Sequence, residues 1–150
     1  MAGHSAGGSA AQPTMVRDPR VRAGVDLDGS TNGAIPATGL SRPFLFLGRQ
    51  AQYTPGTTSA AATWERDWPL LTGWKRWILV AGAVHESFTD VALLAGQVGI
   101  DTGAGLTGER SAAITRAYLR AFFDLHLRGM PQPLLDGASA RYPEVSFCSP

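Results

Sequence analysis

Ser5, Asp28 and His85, met in that order along the chain, are the residue types that nucleophilic acyl transfer needs. A serine hydroxyl is a poor nucleophile until a base takes its proton. An imidazole can take that proton and later hand it to a leaving group. A carboxylate on the other ring nitrogen fixes the tautomer and stabilises the imidazolium that forms. Ser5 lies in Gly3-His4-Ser5-Ala6-Gly7, a G-x-S-x-G pattern extended by Gly8. The pattern suits a sharp strand-to-helix turn that pushes the serine outward, with glycines where strand and helix pass closely. The backbone N–H of Ala6, directly after the serine, is the expected oxyanion donor.

Small residues often surround a serine by chance, so the pattern gains its meaning from the acid and the base further along the chain. Asp26 competes with Asp28 for the acid role. Asp26 falls inside a predicted strand, where it reads as a hydrogen-bonded buried carboxylate, whereas Asp28 has the strand-end position that favours it. His4 reads as a structural or cleft-lining residue, and His126 as a surface or boundary residue of a helix. Trp64, Trp68, Trp74 and Trp77 are read as core rather than as an acyl pocket. Glu86 and Asp90 read as solvated or helix-capping residues. Arg17, Arg20 and Arg22 read as a solvated turn. Cys148 is the single cysteine, so no disulfide forms within the chain, and with no motif around it the thiol reads as inert.

The elements that would hold these residues alternate. A strand leads into Ser5, and residues 6–17 read as a helix that Pro13 kinks or shortens. Residues 22–27 form a short strand ending at Asp28-Gly29. Residues 30–42, rich in Gly, Thr, Ser and Pro, form a loop. The apolar runs 43–48 and 76–81 suit strands covered on both faces, as in a parallel sheet. Residues 58–71 read as a helix limited by Pro69, 88–97 as a short helix and 99–108 as a Gly/Thr-rich loop. In the clearest helix, 109–128, Ile114, Tyr118, Ala121, Phe122 and Leu125 form one apolar stripe, ended by Gly129 and Pro131. The tail from Gln132 reads as irregular. Alternating strands and helices predict an α/β layer structure with about four parallel strands. Ser5, Asp28 and His85 all fall at carboxyl ends of strands, the edge where open α/β sheets place their sites.

A chain of 150 residues is one domain's worth, and no repeat or linker divides it. A formal net charge of +1 gives no electrostatic case for nucleic acid or an anionic membrane. No apolar run approaches the roughly 18 residues of a membrane span. Met1-Ala2-Gly3 lacks the basic and apolar regions of a signal peptide, and the compartment stays open. No metal or cofactor is expected.

The run Gly3-His4-Ser5-Ala6-Gly7-Gly8, Asp28 in Ala23-Gly24-Val25-Asp26-Leu27-Asp28-Gly29, and Val84-His85-Glu86-Ser87-Phe88-Thr89-Asp90 resemble the platelet-activating factor acetylhydrolase family. The helix from Ala117 to Gly129 is similar to that family's carboxyl-terminal helix. The resemblance implies an α/β hydrolase with a Ser5–Asp28–His85 triad. It implies metal-free hydrolysis of short or oxidised acyl esters, including phospholipid sn-2 esters; bacterial relatives act as general esterases or lipases. It covers most of the chain but only the carboxyl-terminal half of the family's domain. Residues 1–150 are therefore expected to be a partial domain beginning at the elbow. The amino-terminal strands, and the loop that supplies a second oxyanion donor, have no counterpart. Two functions stand as expectations. One is an esterase or lipase acting on a small-molecule or lipid ester. The other is a catalytically silent fragment that pairs with a partner chain or, through an exposed sheet edge, with itself.

Overall fold

The computed structural model describes residues 1–149. One five-stranded sheet carries the architecture, in the spatial order β1 (Ala2–His4), β2 (Gly24–Leu27), β3 (Phe44–Arg49), β4 (Lys75–Val80) and β5 (Val145–Cys148). The first four strands run parallel, and β5 pairs antiparallel with β4. The helices are α1 (Ala6–Ser9), α2 (Ala11–Arg17), α3 (Gln50–Tyr53), α4 (Ser59–Asp67), α5 (Val91–Gln97) and α6 (Gly108–Arg128). This is the mostly parallel, helix-flanked sheet of a partial α/β-hydrolase fold.

Strand periodicity explains why the central strands read as unbroken apolar runs. Val25, Leu27, Leu45, Leu47, Ile78 and Val80 face one side, where Ile114, Tyr118, Ala121 and Phe122 of α6 cover them. Phe44, Phe46, Trp77 and Leu79 alternate to the other side, against Met15 of α2, Tyr53 of α3 and Trp64 of α4. The two coverings come from the strand order. Crossovers of one hand between parallel strands laid down in sequence put every connecting helix on the same face. The helices α1 to α4 connect β1 through β4 and occupy one face. The other face stays open for α6, which leads into the antiparallel β5.

The tail is a correction to the sequence reading. Residues 145–148 form a strand, with Val80 opposite Val145 and Ile78 opposite Phe147. Its four residues alternate too briefly to separate from a loop, and the side of β4 that they cover is a tertiary fact. A second difference is at Pro13. The predicted helix 6–17 is broken at Ala10, three residues earlier, so Pro13 falls in the first turn of α2, where its missing N–H costs nothing.

Two of the four tryptophans are core, and Trp68 and Trp74 are half-buried against it. Trp64 and Trp77 are fully buried, and Trp64 stacks between Tyr53 and Phe46 with ring centroids 3.9 and 4.4 Å away. No helix among the described residues is long and apolar enough to cross a membrane.

Candidate active site

Three loops at the carboxyl edge of the sheet assemble the site. The first is the turn out of β1. Ser5 holds φ 57° and ψ −122°, a left-handed backbone that a side chain adopts only under constraint. Its N–H donates to Leu27 O at 2.9 Å, and its carbonyl accepts from Ser9 N at 2.9 Å. The turn is fastened at both ends. A Cβ on Gly3 would clash with the carbonyl of Gly7, and one on Gly29 would clash with Ser5 O. Two glycines thus let β1, α1 and the β2 loop close on one another around the serine. Ala6 opens α1, where a helix leaves its first N–H groups without intrahelical partners.

The second loop leaves β2. Asp28 also has a positive φ, 54°, which aspartate tolerates better than most side chains. Its N–H still donates to Leu47 O at 3.0 Å, so the ladder with β3 runs to the turn. The carboxylate has no exposed surface and is fully engaged. Oδ1 accepts the Arg49 backbone N–H at 2.9 Å, and Oδ2 lies 2.5 Å from His85 Nδ1. The Arg49 guanidinium Nε stands 3.0 Å from the same Oδ2. Its direction is poor for a hydrogen bond, and Nε is left without a partner, so this is a contact of charges. Arg49 escapes a reading of the sequence because nothing in the chain order says that the end of β3 lies beside that of β2.

The third loop comes after β4. His85 begins a single 3-10 turn, His85–Phe88. Ser87 locks that turn, its Oγ accepting the Val84 N–H at 3.0 Å, and Phe88 anchors it in the α6-side core. The serine and phenylalanine that come after the histidine are therefore its mounting. Asp90 sits at the entry to α5 but makes no side-chain cap, and Glu86 is exposed.

Asp28 and His85 are thus in direct contact. Among the described residues, Ser5 Oγ makes no hydrogen bond to His85. The tie between their loops runs through the neighbouring His4, whose Nε2 lies 2.9 Å from the carbonyl O of His85. The two imidazole rings are 4.3 Å apart. Burial first, and the neighbouring His85 ring second, push the His4 pKa down. His4 is therefore held neutral, and as a neutral ring with Nε2–H it donates to that carbonyl.

The other candidates sit outside this contact. Asp26 is 0% exposed on β2, with Oδ1 accepting Gly29 N–H at 2.9 Å and Oδ2 unpartnered. Burial drives its pKa well up, and the Gly29 hydrogen bond opposes this only in part. His126 packs on Trp74 and Phe122 with ring centroids 4.4 and 4.8 Å away, a boundary residue of α6. Arg20 pairs locally with Asp18, and Arg17 and Arg22 are exposed. Burial pushes the Cys148 thiol up, which keeps it protonated and unreactive at neutral pH.

Comparison with known proteins gives the family. No protein-family model matches the chain. A fungal protein of Arthroderma benhamiae, named "Probable 1-alkyl-2-acetylglycerophosphocholine esterase", is 32% identical over 167 residues, which cover 98% of this chain and 42% of that protein. The solved structure of a ferulic acid esterase from Streptomyces cinnamoneus superposes with a TM-score of 0.90 at 41% identity, over 99% of this chain and 46% of the other. The chain spans less than half the length of either relative. Within that span, sequence and fold place it among the platelet-activating factor acetylhydrolase-like α/β hydrolases.

Proposed function

We propose that this chain carries the triad of a serine carboxylic ester hydrolase. The observation that carries the reading is the 2.5 Å contact between Asp28 Oδ2 and His85 Nδ1 beside a serine held at positive φ. With Nδ1–H given to Asp28, the His85 Nε2 is the free base. Ser5 Oγ attacks the ester carbonyl and Nε2 takes its proton. The tetrahedral oxyanion forms against the Ala6 N–H. Collapse expels the alcohol, which leaves with the proton from Nε2, and an acyl-Ser5 remains. Water then attacks the acyl group, gives its proton to Nε2, and the acid departs as Ser5 Oγ is reprotonated. Hydrogen bonds between nucleophile and base are often long in a free enzyme and tighten when substrate binds. The unmade Ser5–His85 bond fits that pattern.

The two relatives are named for an acetyl ester of a glycerophosphocholine and for an ester of ferulic acid. What those esters share is an acyl carbonyl on an oxygen leaving group. The substrate class is accordingly a carboxylic ester of short-chain acyl type, phospholipid sn-2 esters included. A fluorophosphonate probe is expected to label the protein, and Ser5→Ala to abolish labelling together with turnover of a short-chain p-nitrophenyl ester. Undiminished label on Ser5→Ala would move the nucleophile elsewhere.

A second reading is that the chain is silent until further strands join it. It rests on the length of the relatives and on β1, which pairs with β2 alone. Comparing turnover of residues 1–150 with that of a chain extended to the length of the relatives separates the two readings.

A further inference from the structure

We propose that Arg49 is a positioning residue for the acyl-transfer chemistry: it keeps Asp28 charged and turned toward His85, acting through the carboxylate and not on substrate. This rests on the triad reading above.

Asp28 is an expensive group to hold as an anion. Its side chain has no exposed surface. A carboxylate taken out of water loses its hydration, and its charge must be met by protein donors and cations. A protonated Asp28 can neither fix the Nδ1–H tautomer nor stabilise an imidazolium. Four other titratable groups surround the pair: His4 from β1, Asp26 on β2, Tyr53 on α3 and Glu86 in the turn of His85. None brings a positive charge. His4 is held neutral, Asp26 is driven toward its neutral form, and burial raises the Tyr53 phenol to about 12. Among the described residues Arg49 is the only permanent cation within salt-bridge distance of Asp28.

The attachment is double, and its two halves are separable. The Arg49 backbone N–H holds Oδ1 at 2.9 Å, which no side-chain substitution removes. The guanidinium stands 3.0 Å from Oδ2, the oxygen that faces His85. Room for both comes from Gly48. A Cβ there would meet the Trp64 ring at 2.7 Å and press on Oδ1 at 3.3 Å. The Arg49 side chain is 29% exposed, so its charge keeps part of its hydration while its partner has none. That division suits a cation whose duty is to the carboxylate.

An ordinary structural ion pair would show the same distances, so the test is a double-mutant cycle in the intact chain. Two readouts are taken: the second-order rate of Ser5 labelling by a fluorophosphonate, and kcat and KM for a p-nitrophenyl ester. Arg49→Met is expected to slow labelling and lower kcat by about ten- to hundredfold, the span of couplings within one charge network. KM should stay within about twofold. Arg49→Lys should recover part of the loss. In an Asp28→Asn background, where there is no charge to hold, Arg49→Met should bring no further loss. Arg49→Gln, which keeps bulk and polarity without charge, repeats the measurement where the methionine variant melts below the assay temperature. Rates within about twofold of the parent for both neutral variants would overturn the proposal while the triad stands. Equal factors of loss in the parent and in the Asp28→Asn background would also overturn it, by making Arg49 a structural residue. Persistent labelling of Ser5→Ala would instead remove the triad, and the role of Arg49 would fall with it.

Discussion

Asp26 and Asp28 are both buried, two positions apart, yet their surroundings treat charge in opposite ways. In a strand, residues two apart point to the same face, so periodicity alone would send both carboxyls to one place. They part because Asp28 has left β2 with φ 54°, which swings it over the end of β3 to meet Arg49 and His85. Asp26 stays in the strand under α1 with an unpartnered oxygen and a pKa driven up. A carboxyl that keeps its proton when folded and sheds it when unfolded stabilises fully below the unfolded value of about 3.9. That stability is lost as pH rises toward the folded value. Asp26→Asn, which has no proton to lose, is therefore expected to gain stability relative to the parent as pH rises from about 4 toward neutral. Urea melts across that range check it; a pH-independent difference would mean that Asp26 is ionised in the fold. The strand-end position that sets Asp28 apart from Asp26 was legible in the sequence. The orphaned oxygen and the Arg49 cation were not, because both depend on register between strands that lie far apart in sequence.

At the scale of elements, the turn between β1 and α1 shows which glycines a motif needs. Gly3 and Gly7 frame the serine with equal standing in the pattern, but the packing separates them. A side chain on Gly3 would collide with the Gly7 carbonyl, and one on Gly8, beyond the five-residue pattern, with the buried Asp26 carboxyl. A Cβ on Gly7 meets nothing within 4 Å. Gly3→Ala and Gly8→Ala are expected to cost about 1–3 kcal/mol or more, the range for overpacking a tight interior. They should also lower Ser5 labelling, since the turn must shift to relieve them. Gly7→Ala is expected to be neutral or to stabilise α1 by up to about 1 kcal/mol. Thermal melts of the three variants, with labelling rates beside them, test the ranking; a Gly7→Ala loss equal to that of Gly3→Ala would refute it. The strand-to-helix turns were legible because glycine, proline and apolar runs punctuate the chain. β5 was not, since a four-residue strand is defined by the neighbour it pairs with.

At the scale of the whole molecule, the described residues leave the β1 edge of the sheet, the one that carries the Ser5 turn, without a further strand. β1 is three residues long and bonds to β2 on one side only. The N–H groups of Met1 and Ser5 point to β2, ending on Ala23 O and Leu27 O. Strand alternation therefore turns the N–H groups of Ala2 and His4 outward, where they form a template for another strand. Met1, at the start of this edge, is itself an exposed apolar side chain. The relatives that match this chain are more than twice as long, at 42% and 46% coverage. Expressed as residues 1–150, the protein is expected to associate with itself through β1 in a concentration-dependent way, as its Ser5 loop sits at the same strand. Ala2→Pro tests the edge selectively. It deletes an outward donor and leaves the β1–β2 ladder intact, because proline is tolerated where the N–H faces away from the sheet. Sedimentation over a hundredfold range of concentration should show the parent shifting from monomer to dimer and the proline variant staying monomeric with an unchanged melting temperature. A parent that remains monomeric throughout would mean that so short an edge cannot recruit a second copy. A proline variant that still dimerises would place the contact on another face of the molecule.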